Sequence, residues 1–285
     1  MSDSLTIAWE RRSTVGEGPI WYQNSLYWVD IKQGKVLRYT PSTGKKEIWE
    51  IGQEVGTVVP RESGGLLLAT DKGFMFFNSE NGSKEKIDSP PMDLMNGRFN
   101  DGKCDPLGHF LAGTISSEKN GGFFQLSSER KWRQLFDSVG CSNGLIWWED
   151  EFYYIDSPTK RVDRFDYDTS SGEISNRRVA FSTEDTPGVP DGMAIDSDGN
   201  LWIAFFNGSC VKRFNRKSGK VLEEISLPVP KVTACAFGGD ELKDLYITTA
   251  CAGMDQSQLE TYPKSGNLFL CQPGVSGLPA NVYKG

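Results

Sequence analysis

The stretch Leu26-Tyr27-Trp28-Val29-Asp30 is an apolar run of five residues ending in an acid, and the chain returns to that design five more times. Leu66-Leu67-Leu68-Ala69-Thr70, Phe110-Leu111-Ala112-Gly113-Thr114, Phe152-Tyr153-Tyr154-Ile155-Asp156, Leu201-Trp202-Ile203-Ala204-Phe205 and Leu245-Tyr246-Ile247-Thr248-Thr249 follow, with starts 40, 44, 42, 49 and 44 residues apart. β-Branched and aromatic residues fill these runs, and turns such as Gln23-Asn24-Ser25 or Asp198-Gly199-Asn200 precede most of them. A second strand-like run follows each, at 36–39, 74–77, 123–126, 162–165, 211–214 and 268–270. No long 3.6-residue periodicity intervenes, although a short helical turn is expected around Gln256 to Tyr262. Four short strands in roughly 44 residues is the size of one propeller blade. Six repeats therefore predict an all-β fold: a six-bladed β-propeller of four-stranded antiparallel blades around a central channel, with residues 1–285 as one domain.

Repeats one to five carry a third run, as at 46–51 and 221–227, which the sixth lacks. The strand-like segment Leu5 to Trp9 is left over at the other end of the chain. It is expected to pair onto the last blade, covering an open edge and locking first blade to last.

Composition narrows the function. The 285 residues are 38% hydrophobic and 12% aromatic, enough for a full core and too apolar for a disordered chain. No run of 18 apolar residues occurs. Met1 to Arg12 lacks the basic start and apolar stretch of a secretion signal, so a cytoplasmic location is expected. A net charge of −7 argues against nucleic acid or an anionic membrane as partner, and a monomer or weak dimer is expected. The six cysteines include no two within three residues of each other, and free thiols are expected. His109 is the single histidine, which excludes a multi-imidazole zinc site and any two-histidine mechanism. It stands in a turn entering a strand and is read as structural.

The first strand of a propeller blade lines the channel, so equivalent positions in different blades converge near the axis. Reading back from the apolar runs finds Glu17-Gly18, Asp101-Gly102, Asn143-Gly144 and Asp191-Gly192 at one repeat phase. Acid-Gly and amide-Gly pairs are ordinary turn dipeptides, as at Asn81-Gly82 and Asn207-Gly208, but four at one phase point to the channel mouth. Glu17 and Asp191 would then bring like charges together, a situation that a proton or a cation relieves. Carboxylate and amide oxygens without nitrogen or sulfur suit Ca²⁺, Mg²⁺ or Mn²⁺, while Zn²⁺ could enter unselected. In Asn96 to Asp105, Arg98 and Asn100 share one face of an extended chain, with Phe99 on the other. Arg98 there offers a fork of donors to an anionic or hydroxyl-rich ligand. Glu118, in Ser116-Ser117-Glu118-Lys119, follows the second strand of the same blade.

These segments resemble the regucalcin (senescence marker protein), gluconolactonase and luciferin-regenerating-enzyme family of six-bladed propellers. The likeness runs from Val15-Gly16-Glu17-Gly18-Pro19 to Gly274-Val275-Ser276-Gly277. Its most specific segments are Arg98-Phe99-Asn100-Asp101-Gly102-Lys103 with Asp105-Pro106, Ser142-Asn143-Gly144-Leu145, Tyr153-Tyr154-Ile155-Asp156-Ser157 and Pro190-Asp191-Gly192-Met193. The resemblance implies one axial divalent cation, Ca²⁺ foremost, held by Glu17, Asn143 and Asp191, with Asp191 also the proton acceptor and donor. It implies substrate contacts at Arg98, Asn100 and Glu118, with Asp101 taken beside them, and hydrolysis of sugar lactones such as gluconolactone. Only Lys119 and Asn120 stand between Glu118 and Gly121, where animal regucalcins carry a longer lid-like loop, so a more open mouth is expected. Two alternatives stay open: a non-enzymatic Ca²⁺-binding regulatory propeller, and a hydrolase of the same fold acting on other esters or organophosphates.

Overall fold

The computed structural model describes residues 5–285, and over them six four-stranded antiparallel sheets form a ring, a six-bladed β-propeller. The inner strands are Gly16–Tyr22 in blade one, Val55–Pro60 in two, Arg98–Cys104 in three, Ser142–Trp148 in four, Val189–Ile195 in five and Val232–Gly238 in six. The quoted apolar runs are the second strands. Leu26, Val29, Leu67, Leu68, Phe110, Tyr153, Trp202 and Leu245 in them are buried completely. They read as continuous apolar runs because each blade is packed between two others, so both faces of its second strand are covered.

Thr6–Trp9 pairs antiparallel with Leu268–Cys271 and supplies the outer strand of blade six, as the missing third run required. Trp9 then meets Trp28 of blade one edge-on, with ring centroids 5.1 Å apart, a contact worth about 0.5–1.5 kcal/mol beyond its burial. The expected helical turn is Gln256–Thr261, opened by a capping box between Asp255 and Gln258. All six cysteines are free thiols, and among the described residues no helix is long and apolar enough to cross a membrane.

The inner strands share an irregularity that period counting does not predict. In each blade their pairing with the second strand slips once, between Glu17 and Ile20, Val55 and Thr57, Phe99 and Gly102, Asn143 and Leu145, Pro190 and Met193, and Val232 and Ala234. A bulge of this kind re-aims the side chain it carries. The left-handed backbone it demands falls on glycine in two blades, at Gly18 (φ +57°) and Gly144 (φ +35°). The acid-Gly and amide-Gly pairs are therefore bulges at the channel mouth rather than turns.

The chain beyond blade six runs as a strap across the opposite end of the channel. Ser276 accepts from the Ser197 amide at 2.8 Å, the Asn281 amide donates to the Cys104 carbonyl at 3.2 Å, and the Tyr283 amide donates to the Pro60 carbonyl at 2.9 Å. Tyr283 is fully buried, and its hydroxyl donates to the Ser127 carbonyl at 2.7 Å. The strap ties blades five, three and two together from below.

Candidate functional site

The six inner strands begin at one end of the channel, called the upper end, and the bulged residues gather there. Glu17, Asp101 and Asp191 are 5%, 4% and 7% exposed, three acids withdrawn from water in one mouth. Two of them are held by their own bulges: the Gly18 amide donates to Oε2 of Glu17 and the Gly102 amide to Oδ1 of Asp101, both at 2.8 Å. The Glu17 and Asp191 carboxyls are close enough to share a hydrogen bond. Burial, then the Asp101 charge, raises the Glu17 pKa to about 7. Burial, then the Glu17 charge, raises Asp191 well above the usual carboxylate range. Asp101 is raised by burial, and Lys103 opposes that shift. Oδ1 of Asp191 is buried and has no donor among the described residues.

A relay of amides fixes the fourth bulged residue. Ser157 donates to the Pro190 carbonyl at 2.6 Å, so its oxygen is the acceptor for Nδ2 of Asn143 at 2.8 Å. That contact turns Oδ1 of Asn143 the other way, where Nδ2 of Asn100 donates to it at 3.0 Å. The same Asn100 nitrogen donates to the Ser142 carbonyl at 2.8 Å, and Oδ1 of Asn100 accepts from Nη1 of Arg98 at 2.8 Å. Blades three, four and five are thus linked through side chains at the mouth. The second lone pair of the Asn143 oxygen stays free.

Arg98 sits at the rim, its Nε 3.1 Å from Oε2 of Glu54, whose Oε1 takes the Lys32 ammonium at 2.8 Å. Phe99 between Arg98 and Asn100 is fully buried and stacks on Phe74 at 4.7 Å, as its alternate position on the strand required. Glu118 is not brought into the cluster. It is exposed in the turn after Phe110–Ile115, where its carboxylate accepts from Asn120 at 3.2 Å. Because Arg98 pairs with Ile115, that turn does stand at the upper rim. His109 lies at the other end of blade three, with Nδ1 3.0 Å from Asp105. Asp30 and Asp156, the acids ending two of the apolar runs, cap backbone amides of Thr14 and Val15 and of Gly140 and Cys141.

Three participants escaped the sequence reading. Ser157 closes a recognisable segment, but its bond to Asn143 depends on how blades four and five meet. Glu54 precedes an inner strand whose bulge carries neither acid nor amide side chain. Lys103 ends an acid-Gly segment and reaches across the axis, its ammonium donating to the Met193 carbonyl at 2.5 Å. Burial lowers its pKa, against the pull of Asp101. A lysine two residues after the acid of a bulge was the one legible signal among the three.

The donors suit a hard divalent cation. Like-charged carboxyls in contact and a buried carboxylate oxygen without a donor are the defects that such an ion removes. Among the described residues no three His, Cys, Asp or Glu side chains are grouped to hold a metal, so the fit needs the Asn143 amide oxygen beside the two acids.

Comparison with known proteins agrees with this architecture. Residues 15–251 match the family described as the SMP-30/Gluconolactonase/LRE-like region. Regucalcin of Xenopus laevis is 39% identical over 284 residues, with 95% of each chain covered. The structure of luciferin-regenerating enzyme superposes with a TM-score of 0.92 at 30% identity over 99% of both chains. A calcium-binding protein, regucalcin from Agrobacterium tumefaciens, shares the fold at a TM-score of 0.93 and 21% identity, over 99% of this chain and 97% of that one. By sequence, blade count and ring closure together, the chain belongs to the SMP-30/gluconolactonase/LRE-like family.

Proposed function

We propose that the protein is a divalent-cation-dependent hydrolase that opens sugar lactones, with its reaction centre at the upper mouth of the channel. Membership of a family that includes gluconolactonases supports a lactonase-type propeller. The observation that carries the finer reading is the buried Oδ1 of Asp191, without a donor and set against Glu17.

In this reading Glu17, Asn143 and Asp191 hold the cation, Ca²⁺ foremost. When bound, it supplies Lewis acidity to a carbonyl oxygen and offsets the charge that develops there. The chain's own residues do the rest. Asp191 takes a proton from the water that adds to the lactone carbonyl carbon, and returns it to the ring oxygen as the acyl C–O bond breaks. The Asn100–Asn143–Ser157 relay holds the Asn143 oxygen in place, so little reorganisation is needed as charge develops. Arg98 presents its remaining N–H groups to ring hydroxyls, Asn100 orients Arg98, Asp101 and Glu118 accept hydroxyl hydrogen bonds, and Glu118 does so from the solvent side.

The test is turnover of gluconolactone by chelator-stripped protein reconstituted with Ca²⁺, Mg²⁺, Mn²⁺ or Zn²⁺. Asp191→Ala is expected to lose about 10²–10⁴-fold in kcat, the usual worth of a positioned acid–base group. Undiminished turnover in both Asp191→Ala and Glu17→Gln would refute these roles. Calorimetric cation binding without turnover of any lactone would leave a cation-binding propeller instead.

A further inference from the structure

Past the bulges the inner strands change character, and at the lower end of the channel they enclose a second chamber of about 260 Å³ between themselves and the strap. Trp21, Trp147 and Phe237 wall it, and Leu278 of the strap stands at its rim, 41% exposed. A water molecule takes about 30 Å³, so the space far exceeds what one structural water needs. The chamber is not uniformly apolar, because Lys103 borders it from above. Its ammonium donates to the Met193 carbonyl, and Asp101 draws it from the upper side. An ammonium has three donors, and the Met193 carbonyl takes one of them. Lys103 is only part-buried, so an anion entering the chamber from below can meet the donors that Met193 leaves over. Apolar and aromatic walls with one convergent charged group are the build of a small-molecule pocket.

We propose that the lower chamber is a second small-molecule site, for a short apolar carboxylic acid whose carboxylate meets the Lys103 ammonium while its apolar body lies among Trp21, Trp147 and Phe237. The site is independent of the lactonase reading, which concerns the other end of the channel. Binding is non-covalent, and the acid enters as its anion.

Calorimetric titration of the full chain with octanoate, and with octanol as its uncharged counterpart, tests this. One saturable octanoate site is expected, with octanol weaker by about tenfold, the value of one charge-assisted hydrogen bond. Lys103→Met is expected to erase that difference. Ala236→Leu, which fills the chamber wall, is expected to weaken both ligands, and it decides the matter alone if Lys103→Met fails to fold. Glu17→Gln at the upper end, which acts on Lys103 only through charge, is expected to change octanoate affinity by less than Lys103→Met does. Absence of saturable octanoate binding, octanol binding as tightly as octanoate, or indifference of octanoate to Ala236→Leu would each overturn the proposal. Loss of octanoate binding in Glu17→Gln would place the acid at the upper mouth and overturn it as well.

Discussion

Blades two and six bend at the same point as the other four blades and put different chemistry there. In blades one, three, four and five the bulge carries Glu17, Asp101, Asn143 and Asp191; in blades two and six it falls at Gly56-Thr57 and Thr233-Ala234. The two threonines face neighbours rather than the mouth. The Thr57 hydroxyl donates to the Gly102 carbonyl of blade three at 3.1 Å, and the Thr233 hydroxyl to the Gly16 carbonyl of blade one at 2.5 Å. Gly56 lets the blade-three strand approach so closely that a Cβ on it would lie 2.3 Å from the Phe99 carbonyl oxygen. One repeated backbone device therefore serves two ends. Where polar ligand-type groups occupy it, the mouth gains its acids and amide; where threonine and glycine occupy it, the ring is sealed. Six acids at six bulges would not be tolerated, since Asp101 already raises the Glu17 pKa, and Glu17 and Asp101 raise that of Asp191.

That division of labour can be broken in stages. Gly56→Ala forces the backbones of blades two and three apart and is expected to cost about 3 kcal/mol, the upper end of the overpacking range. Urea unfolding measures it, and a loss under about 1 kcal/mol would mean that the blades are not locked at this point.

Glu17→Gln probes the opposite class, with opposite sign. Without a cation, the folded protein holds a proton on Glu17 up to about pH 7, whereas the unfolded chain releases it near 4.5. The folded state then binds more protons than the unfolded state between those values, so stability must fall as pH rises through that window. In chelator, Glu17→Gln is expected to show a shallower decline, because Asp191 and Asp101 stay raised by burial, and to be more stable than the unsubstituted protein at pH 8, by up to about 3 kcal/mol. Saturating Ca²⁺ should restore the unsubstituted protein and leave the variant behind. A stability difference independent of pH would contradict the crowding of acids at the mouth.

The smallest expected effect is that of Thr233→Val, which leaves the buried Gly16 carbonyl without its hydroxyl partner and costs about 1–2 kcal/mol. Thermal unfolding should register the loss while calorimetric Ca²⁺ affinity stays as it was. A changed affinity would show that the sealing blades also shape the mouth.

Much of this was legible in local pattern. Turn dipeptides, β-rich runs and a period near 44 residues are properties of neighbouring residues, and they forecast six blades, the pairing of Thr6–Trp9 with the last one, and the candidate positions at the mouth. Phe99 could be placed behind Arg98 and Asn100 by strand alternation alone. Glu118 shows the limit: its place after a second strand indicates the rim, but nothing local says that its carboxylate turns to Asn120 rather than inward. Glu54 and Lys103 were missed because their partners lie on other blades.

The amino-acid sequence by itself determined the architecture and the supply of oxygen donors at the mouth, since a blade is a local unit and its hydrophobic run must be covered wherever it lies. The tertiary structure alone decided that Ser157 sets the direction of the Asn143 amide, that Lys103 reaches the Met193 carbonyl across the axis, and that the final residues close a chamber under Lys103. These contacts join segments far apart in the chain, and their energies depend on burial and charge that exist only once the ring has closed.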